Sequence, residues 1–301
     1  MNFSKHTLKA VFGMIKNRIT NLSMIMLLSL MILTLSTLGY TESIPAGLIL
    51  KSPHAMNSDL VVYAEALIKR VQNKEKITFI DVRQPTEFYA LHIKGAMNIP
   101  PYFIKNKPYL KGLPMVLVDQ GLAFHRLSPY CRELKEKGFN VRILDGGMAA
   151  WSSHNGPMVG ELVNQINYHH ILAADFFFEK NFDQRIVLNV SAKRFPDVEQ
   201  LMPFAVHLPS TGSPKDWIAR LKKFKATHIK HNSTSIIVVN KDGRKYSRLH
   251  SAFDHTGFKN VFFLKGGVDA YKDYLKGLAL SWQPRKKRMV SLNKCKSCRD
   301  R

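Results

Sequence analysis

The sequence predicts an α/β fold with two domains, each a central, mostly parallel sheet flanked by helices, preceded by an N-terminal hydrophobic helix. Short β-branched apolar runs such as Ile236 to Val239 are typical of strands buried on both faces of a sheet. Such runs alternate with helical patterns along the chain, which favours parallel sheets covered by helices. The same order of elements occurs twice, which indicates an internal duplication.

The duplication is visible residue by residue. Gly146-Gly147 matches Gly266-Gly267 at an offset of 120 residues, and the run 115–118 matches 236–239 at an offset of 121. The segments 96–100 and 205–209 are only 109 residues apart. About a dozen extra residues are therefore expected in the second repeat, between Pro209 and Ile236.

The elements of the first repeat follow from apolar periodicity and punctuation. Ser58 is suited to cap a helix, and Gly138 is suited to end one. In chain order we predict a helix from Ser58, strands at 77–82 and 95–100, a turn and short helix at 83–93, a strand at 114–118, a helix at 128–137, a strand at 140–144 and a helical turn from Met148 to Trp151.

The second repeat gives the same pattern. We predict strands at 186–190, 205–209 and 236–239 and a helix at 246–253. The predicted domains are therefore 57–155 and 166–280, joined by a linker at 156–165.

The N-terminus predicts export. Basic residues at positions 5, 9, 16 and 18 precede an uncharged run of 23 residues, 19–41, long enough to span a bilayer core of about 30 Å. The positive-inside rule places the rest of the chain outside the cytoplasm. We interpret 1–43 as a signal peptide or a transmembrane anchor and 44–56 as a linker. The expected location is the cell envelope, either anchored in the inner membrane and facing the periplasm or periplasmic after cleavage.

Composition limits the function classes. A hydrophobic content of 45% excludes wholesale disorder, and only three cysteines exclude a disulfide-stapled scaffold. The formal net charge of +23 favours association with anionic surfaces without selecting one. We predict no cofactor and no specific nucleic-acid binding.

The C-terminal tail, 281–301, is basic and contains a Cys-x-x-Cys pair. From Trp282 onward it has eight basic residues and one acidic residue, so the part at 285–301 could bind an anionic surface. Cys295 and Cys298 could form a small disulfide, take part in redox chemistry, supply half of a metal site or do none of these. Zinc would need two further ligands, and we predict no metal.

Four motifs in the first repeat together resemble the rhodanese family, which comprises sulfurtransferases, phosphatase relatives and inactive members. They are Ile80-Asp-Val-Arg83, Glu87-Phe88, the segment 92–100 and the segment 144–151. The second repeat resembles the family less closely and has Leu188-Asn-Val190 where the family has an Asp. The resemblance implies a tandem rhodanese-like arrangement in which the C-terminal domain normally carries the active site.

The resemblance also implies where chemistry would occur. In the family a cysteine begins the loop after the central strand, in the pattern Cys-x-x-Gly-x-Arg, and its thiolate becomes a persulfide. Here Asn240 and Asp119 take the cysteine's place, and neither has a sulfur nucleophile. The degenerate active-site loops are Asp119, Gln120, Gly121 in the first repeat and Asn240, Lys241, Asp242, Gly243, Arg244, Lys245 in the second.

Two other predictions concern individual side chains. The resemblance implies that Asp81, Arg83 and Glu87 stabilise the first domain by ion pairs. Cys131 lies inside a predicted helix, so we expect a packed thiol and not a nucleophile.

The function predicted from the sequence is a catalytically inactive, tandem rhodanese-like binding or scaffold protein of the cell envelope. One alternative is a divergent thiosulfate-type sulfurtransferase or a thiol oxidoreductase that uses Cys295 and Cys298. Another is an oxyanion sensor at the loop 240–245. The expected partner is a protein or an anionic ligand, with membrane contact through residues 19–41.

Overall fold

The computed structural model describes residues 44–49, 54–161, 169–229, 231 and 233–281. The predicted anchor or signal peptide at 1–43, the tail from 282 onward and the pair Cys295 and Cys298 lie outside these residues. Within the described ranges, no helix combines the length and the apolar character needed to cross a membrane.

The first half of the chain is built on a five-stranded parallel sheet. Its strand order is β1-β6-β5-β2-β4, and β3 pairs antiparallel with β7 beside it. The elements are α1 (Ala46–Ile49), a 3₁₀ turn (Ser58–Leu60), β1 (Val61–Val62), α2 (Ala64–Gln72), β2 (Thr78–Asp81), α3 (Pro85–Ala90), β3 (Leu91–Ile93), β4 (Met97–Asn98), α4 (Pro101–Ile104), a second 3₁₀ turn (Pro108–Leu110), β5 (Met115–Val118), α5 (Phe124–Glu136), β6 (Val141–Leu144), α6 (Gly147–Ser153) and β7 (Met158–Gly160).

The second half contains another five-stranded parallel sheet, with the order β10-β9-β11-β12-β8. Read from the opposite edge, the first sheet runs β4-β2-β5-β6-β1, so corresponding strands occupy the same places. Its elements are β8 (His170–Ile171), α7 (Ala173–Glu179), β9 (Arg185–Asn189), α8 (Pro196–Leu201), β10 (Val206–His207), α9 (Pro214–His228), β11 (Ser235–Val239), α10 (Tyr246–His255), β12 (Val261–Leu264) and α11 (Gly267–Ser281). The predicted α/β fold with parallel sheets is confirmed.

Several predicted boundaries were wrong. No α-helix starts at Ser58, because Asn57 caps a 3₁₀ turn there and the chain then pairs with β6 as β1. Helix α5 begins four residues earlier than predicted, at Phe124, whose side chain is buried in the core. Part of the predicted linker 156–165 forms β7, which pairs with β3.

The extra residues of the second repeat form most of α9. This helix starts with a capping box between Ser213 and Asp216 and buries Trp217, Leu221 and Phe224 against the sheet. In the first half the same position holds only the short helix α4 and a 3₁₀ turn. The length difference predicted from the offsets is therefore a helix that covers one face of the second sheet.

The two sheets share an apolar cluster. Val116 and Val118 of β5 and Ile237 and Val239 of β11 belong to one set of buried side chains, which also contains Trp151. The alternate residues of these strands lie in separate clusters on the outer faces, since side chains in a strand alternate between faces. The central strands therefore bury both faces, as their continuous apolar sequences predicted.

A buried ion cluster also joins the halves. Arg185, at the start of β9, is fully buried, and its Nη2 lies 2.6 Å from Asp145 Oδ1 and 3.2 Å from Glu179 Oε2. Its Nη1 donates to Asp145 Oδ2 at 3.0 Å. Burial alone would lower the pKa of Arg185, but the two carboxylates outweigh it and raise the pKa, so the guanidinium stays charged.

We expect Arg185→Met to destabilise the chain strongly. The substitution keeps most of the side-chain volume but leaves Asp145 and Glu179 buried without their cation, which costs about 3–5 kcal/mol in the free energy of unfolding. Urea denaturation of the full chain measures this cost.

The matched control is Arg194→Met. The Arg194–Glu199 pair is equally short, at 2.6 Å, but its side chains are 69% and 46% exposed. Its loss should change the free energy of unfolding by less than about 1 kcal/mol. Equal losses in the free energy of unfolding would show that the buried cluster stabilises the chain no more than the exposed ion pair does.

Candidate functional site

The two loops singled out from the sequence occupy equivalent places. Each follows the middle strand of its sheet, β5 or β11, and each leads into a helix, α5 or α10. Loops at the carboxyl ends of parallel strands are where ligand sites form in such folds. The structure thus brings the residues 119–121 and 240–245 to the expected position in each half.

In the second loop the Asn240 side chain is bonded to its own loop. Asn240 Oδ1 accepts a hydrogen bond from the Gly243 N–H at 2.6 Å, and Nδ2 donates to the Arg244 carbonyl at 2.8 Å. The Arg244 N–H in turn donates to Asp242 Oδ1 at 3.0 Å. Two N–H groups that could hold an anion in such a loop already have acceptors within it.

Tyr246 closes the start of the same loop. Its hydroxyl accepts a hydrogen bond from the Asn240 N–H at 3.2 Å. Burial raises the pKa of Tyr246, so the phenol stays protonated at neutral pH. Tyr246 therefore supplies neither an anion nor an activated nucleophile at the start of the loop.

The basic residues of the second loop differ in how closely they are paired with carboxylates. Lys241 Nζ lies 2.9 Å from Asp269 Oδ1 and 3.2 Å from Asp197 Oδ2, and hydrogen bonds to Asp269 and then Asp197 raise the pKa of Lys241. Arg244 is 83% exposed and lies 3.7 Å from Asp242. Lys245 is exposed and adopts a left-handed conformation at φ +63° where α10 begins.

The glycine pair after β12 positions this loop. The Val268 N–H donates to the Asn240 carbonyl at 2.9 Å, and the Asp269 N–H donates to the Lys241 carbonyl at 2.9 Å. Gly267 has φ +64°, and a Cβ there would lie 2.5 Å from the Asn240 carbonyl oxygen. Only glycine allows this approach, so the Gly266-Gly267 turn supports the loop directly.

The first half repeats this support. The Met148 N–H donates to the Asp119 carbonyl at 2.8 Å, and the Ala149 N–H donates to the Gln120 carbonyl at 3.1 Å. A Cβ on Gly147 would lie 2.1 Å from the Asp119 carbonyl oxygen. The sequence predicted both glycine turns, but their contact with the loops depends on three-dimensional packing.

The first loop is also bonded to its surroundings. Asp119 Oδ1 accepts from the Gln120 N–H at 2.6 Å, and Oδ2 accepts from Arg126 Nη2 at 2.9 Å. Gln120 Oε1 accepts from Arg83 Nη1 at 3.0 Å, while Gly121 lies half-buried in the same loop. The negative charge of Asp119 is thus held by a neighbouring guanidinium.

The expected ion pairs of the first domain are partly present. Arg83 Nη2 lies 2.6 Å from Asp81 Oδ2, both side chains are buried, and Nη2 also donates to the Leu91 carbonyl at 2.7 Å. Glu87 does not join them. Its carboxylate accepts from the Gln84 N–H at 3.1 Å and caps the start of α3 instead.

Cys131 is packed, as predicted. It is fully buried in α5, and its Sγ donates to the Val141 carbonyl at 3.5 Å. Burial raises the pKa of Cys131 to about 11, so very little thiolate exists at neutral pH.

Sequence reasoning missed a cluster at the start of α5. Glu179 Oε1 accepts both from the His125 N–H at 2.9 Å and from His125 Nδ1 at 3.0 Å. The His125 ring stacks on Phe178 at 4.7 Å, and its Nε2 lies 3.7 Å from Asp175 Oδ1. The only signal in the sequence was acidic residues within the apolar helix Ala173–Glu179.

The pKa values of the two carboxyl groups in this cluster are shifted in opposite directions. Burial raises the pKa of Asp175. For Glu179 burial acts in the same direction, but hydrogen bonds from His125 and the charge of Arg185 outweigh it and lower the pKa. An ionised carboxylate from the second half thus lies at the N-terminus of the helix that follows the first loop, where backbone N–H groups favour an anion.

Comparison with known proteins assigns a family to the first half of the chain. The family described as "Rhodanese-like domain" matches residues 63–154. An uncharacterized protein, YibN, from two strains of Escherichia coli is 32% identical to this chain over 111 residues, covering 35% of this chain and 76% of YibN.

A search of solved structures matches a rhodanese-like domain from Anabaena sp., which is 26% identical, with 36% of this chain and 82% of that one covered and a TM-score of 0.31. A thiosulfate sulfurtransferase from Pseudomonas aeruginosa is 18% identical, covers 71% of this chain and 42% of that one, and has a TM-score of 0.29. Residues 63–154 are a rhodanese-like domain, and through this domain the chain belongs to the rhodanese-like family.

Proposed function

We propose that this chain is a tandem rhodanese-like binding or scaffold protein of the cell envelope, without sulfurtransferase activity of its own. One observation carries the proposal. The side chains at the first position of the two loops, Asp119 and Asn240, lack sulfur and are both hydrogen-bonded to their own loops. A persulfide enzyme needs a thiolate there, with the loop N–H groups free to hold its charge.

The second half supports the tandem arrangement. Its sheet has the same strand order as the first, and its glycine turn bonds to the loop carbonyls in the same way. These parallels concern backbone geometry. They support a second rhodanese-like domain in which the loop was kept after its chemistry was lost.

In the first half, the position that favours an anion is taken by the chain itself. Glu179 accepts from the His125 N–H in the first turn of α5 and is fully buried. An external oxyanion would have to displace this carboxylate. This contact favours a structural role for the first loop.

For the second half, the contacts favour a binding module over an oxyanion sensor. Gly243 and Arg244 donate their N–H groups to side chains of the loop, and Lys241 lies between two carboxylates. An arriving anion would have to break these bonds. Thiol chemistry at Cys295 and Cys298 stays an alternative, which the sulfurtransferase assay described below tests.

We infer export to the envelope from the basic flank and the uncharged run 19–41. In bacterial spheroplasts, we expect externally added protease to degrade the folded part of the full chain without detergent. Extraction with alkaline carbonate then separates an uncleaved anchor, which stays in the membrane, from a processed protein, which is released. A chain that is protected until detergent is added would disprove export.

The purified full chain should show no thiosulfate:cyanide sulfurtransfer above background. The expected reason is the absence of a nucleophilic sulfur in either loop, together with the buried, protonated thiol of Cys131. Turnover that survives Cys131→Ser but disappears in Cys298→Ser would overturn the proposal and favour the tail as the catalytic element.

The substitution Asn240→Cys should restore the first half-reaction. The Gly243 N–H that now donates to Asn240 Oδ1 would face the introduced thiolate and lower its pKa. This thiolate attacks the outer sulfur of thiosulfate, the S–S bond breaks and sulfite leaves, so one sulfur atom is added to the protein. Intact-mass spectrometry detects the persulfide.

The control is Asn240→Ser, which presents an oxygen of similar size and should gain no sulfur. Absence of the persulfide in a folded Asn240→Cys chain would mean that more than the cysteine has been lost from this loop.

A further inference from the structure

An exposed aromatic and basic surface lies on the segment 101–113, outside both loops. Tyr102, Phe103, Tyr109 and Leu113 are 53%, 50%, 63% and 40% exposed. Within the described ranges nine large hydrophobic side chains are strongly exposed, and these four come from thirteen consecutive residues. Single exposed apolar residues need no explanation, but such a concentration indicates an interaction surface.

Two buried residues anchor the segment 101–113 in the core. Ile104 at the end of α4 and Leu110 at the end of the 3₁₀ turn are both 0% exposed and belong to the outer core cluster of the first half. Because these two residues are fixed in the core, their neighbours Phe103 and Tyr109 are held on the outside. The Tyr102 and Phe103 rings lie 4.6 Å apart and form one apolar area.

The segment is also positively charged. It contains Lys105, Lys107 and Lys111 and no acidic residue. Lys107 Nζ lies over the Tyr109 ring at 5.9 Å, and Lys111 Nζ lies over the Phe139 ring at 5.5 Å. Lys105 is paired with Glu133 at 3.2 Å, so Lys107 and Lys111 are the lysines best placed to meet an external anion.

We propose that the segment 101–113 is a docking surface for an anionic lipid membrane. Tyr and Phe rings are stable at the boundary between headgroups and acyl chains, and lysines beside them attract anionic headgroups. The combination of both on one rigid surface is what interfacial binding requires. The choice of lipid rests on the proposed envelope location, but the inference uses neither loop.

The chain itself favours lipid as the occupant. The uncharged run ends at Thr41 and the described residues begin at Ile44, so the tether between a membrane-inserted run and the first described helix is short. A short tether gives a nearby lipid surface a high effective concentration. Single-stranded nucleic acid also binds to aromatic and basic surfaces, and the experiment distinguishes it.

The test is amine labelling of the full chain, read at each lysine by mass spectrometry. With vesicles of phosphatidylglycerol and phosphatidylcholine, the labelling rates of Lys107 and Lys111 should fall roughly fivefold relative to phosphatidylcholine alone. Lys222 and Lys223 on α9 are exposed and serve as internal references that should not change. A chain held only by residues 19–41 or by its basic tail would keep Lys107 and Lys111 fully labelled.

The double substitution Tyr102→Ser and Phe103→Ser should abolish this protection. Both side chains are half exposed, so folding is retained and circular dichroism verifies it. The matched control is Tyr89→Ser, because Tyr89 is 78% exposed and lies outside the segment; it should keep the protection. Equal labelling in both vesicle types, or protection by a single-stranded oligonucleotide without lipid, would overturn the proposal.

Discussion

The buried guanidinium of Arg185 is the interaction on which the arrangement of the two halves depends. It lies beside Asp145, which follows β6 of the first half, and Glu179, which ends α7 of the second half, with all three side chains nearly or fully buried. Both carboxylates are buried, and a buried charge is costly unless a cation lies beside it. The same cluster extends through Glu179 to His125, so the geometry at the start of α5 depends on the contact between halves.

A second constraint is the approach of each loop to a glycine turn. The first two carbonyls of both loops accept hydrogen bonds from the first turn of the helix after the next strand. This contact uses only backbone atoms of the loop and does not involve the side chain at its first position. The backbone support is therefore the same in both halves although the first position of the loop is Asp119 in one and Asn240 in the other.

Much of the fold could be predicted from the sequence because local patterns determine it. The continuous apolar runs 115–118 and 236–239 predicted the central strands, and the offsets between repeats located the extra residues that form most of α9.

Contacts between distant residues could not be predicted. No local pattern indicates that Glu179 meets His125, 54 residues away, or that Arg185 meets Asp145. The site residues were found by position in the repeat, but the hydrogen bonds of Asn240 and the pairing of Lys241 with two carboxylates required the structure.

The Glu179 contact has a consequence for how the halves depend on each other. In thermodynamic terms the second half behaves as a tethered ligand of the first, because its carboxylate fills the anion position at the N-terminus of α5. A ligand supplied by the same chain cannot be diluted away, and its occupancy does not vary with the composition of the surroundings. The contact between Glu179 and His125 therefore contributes to the stability of the folded chain.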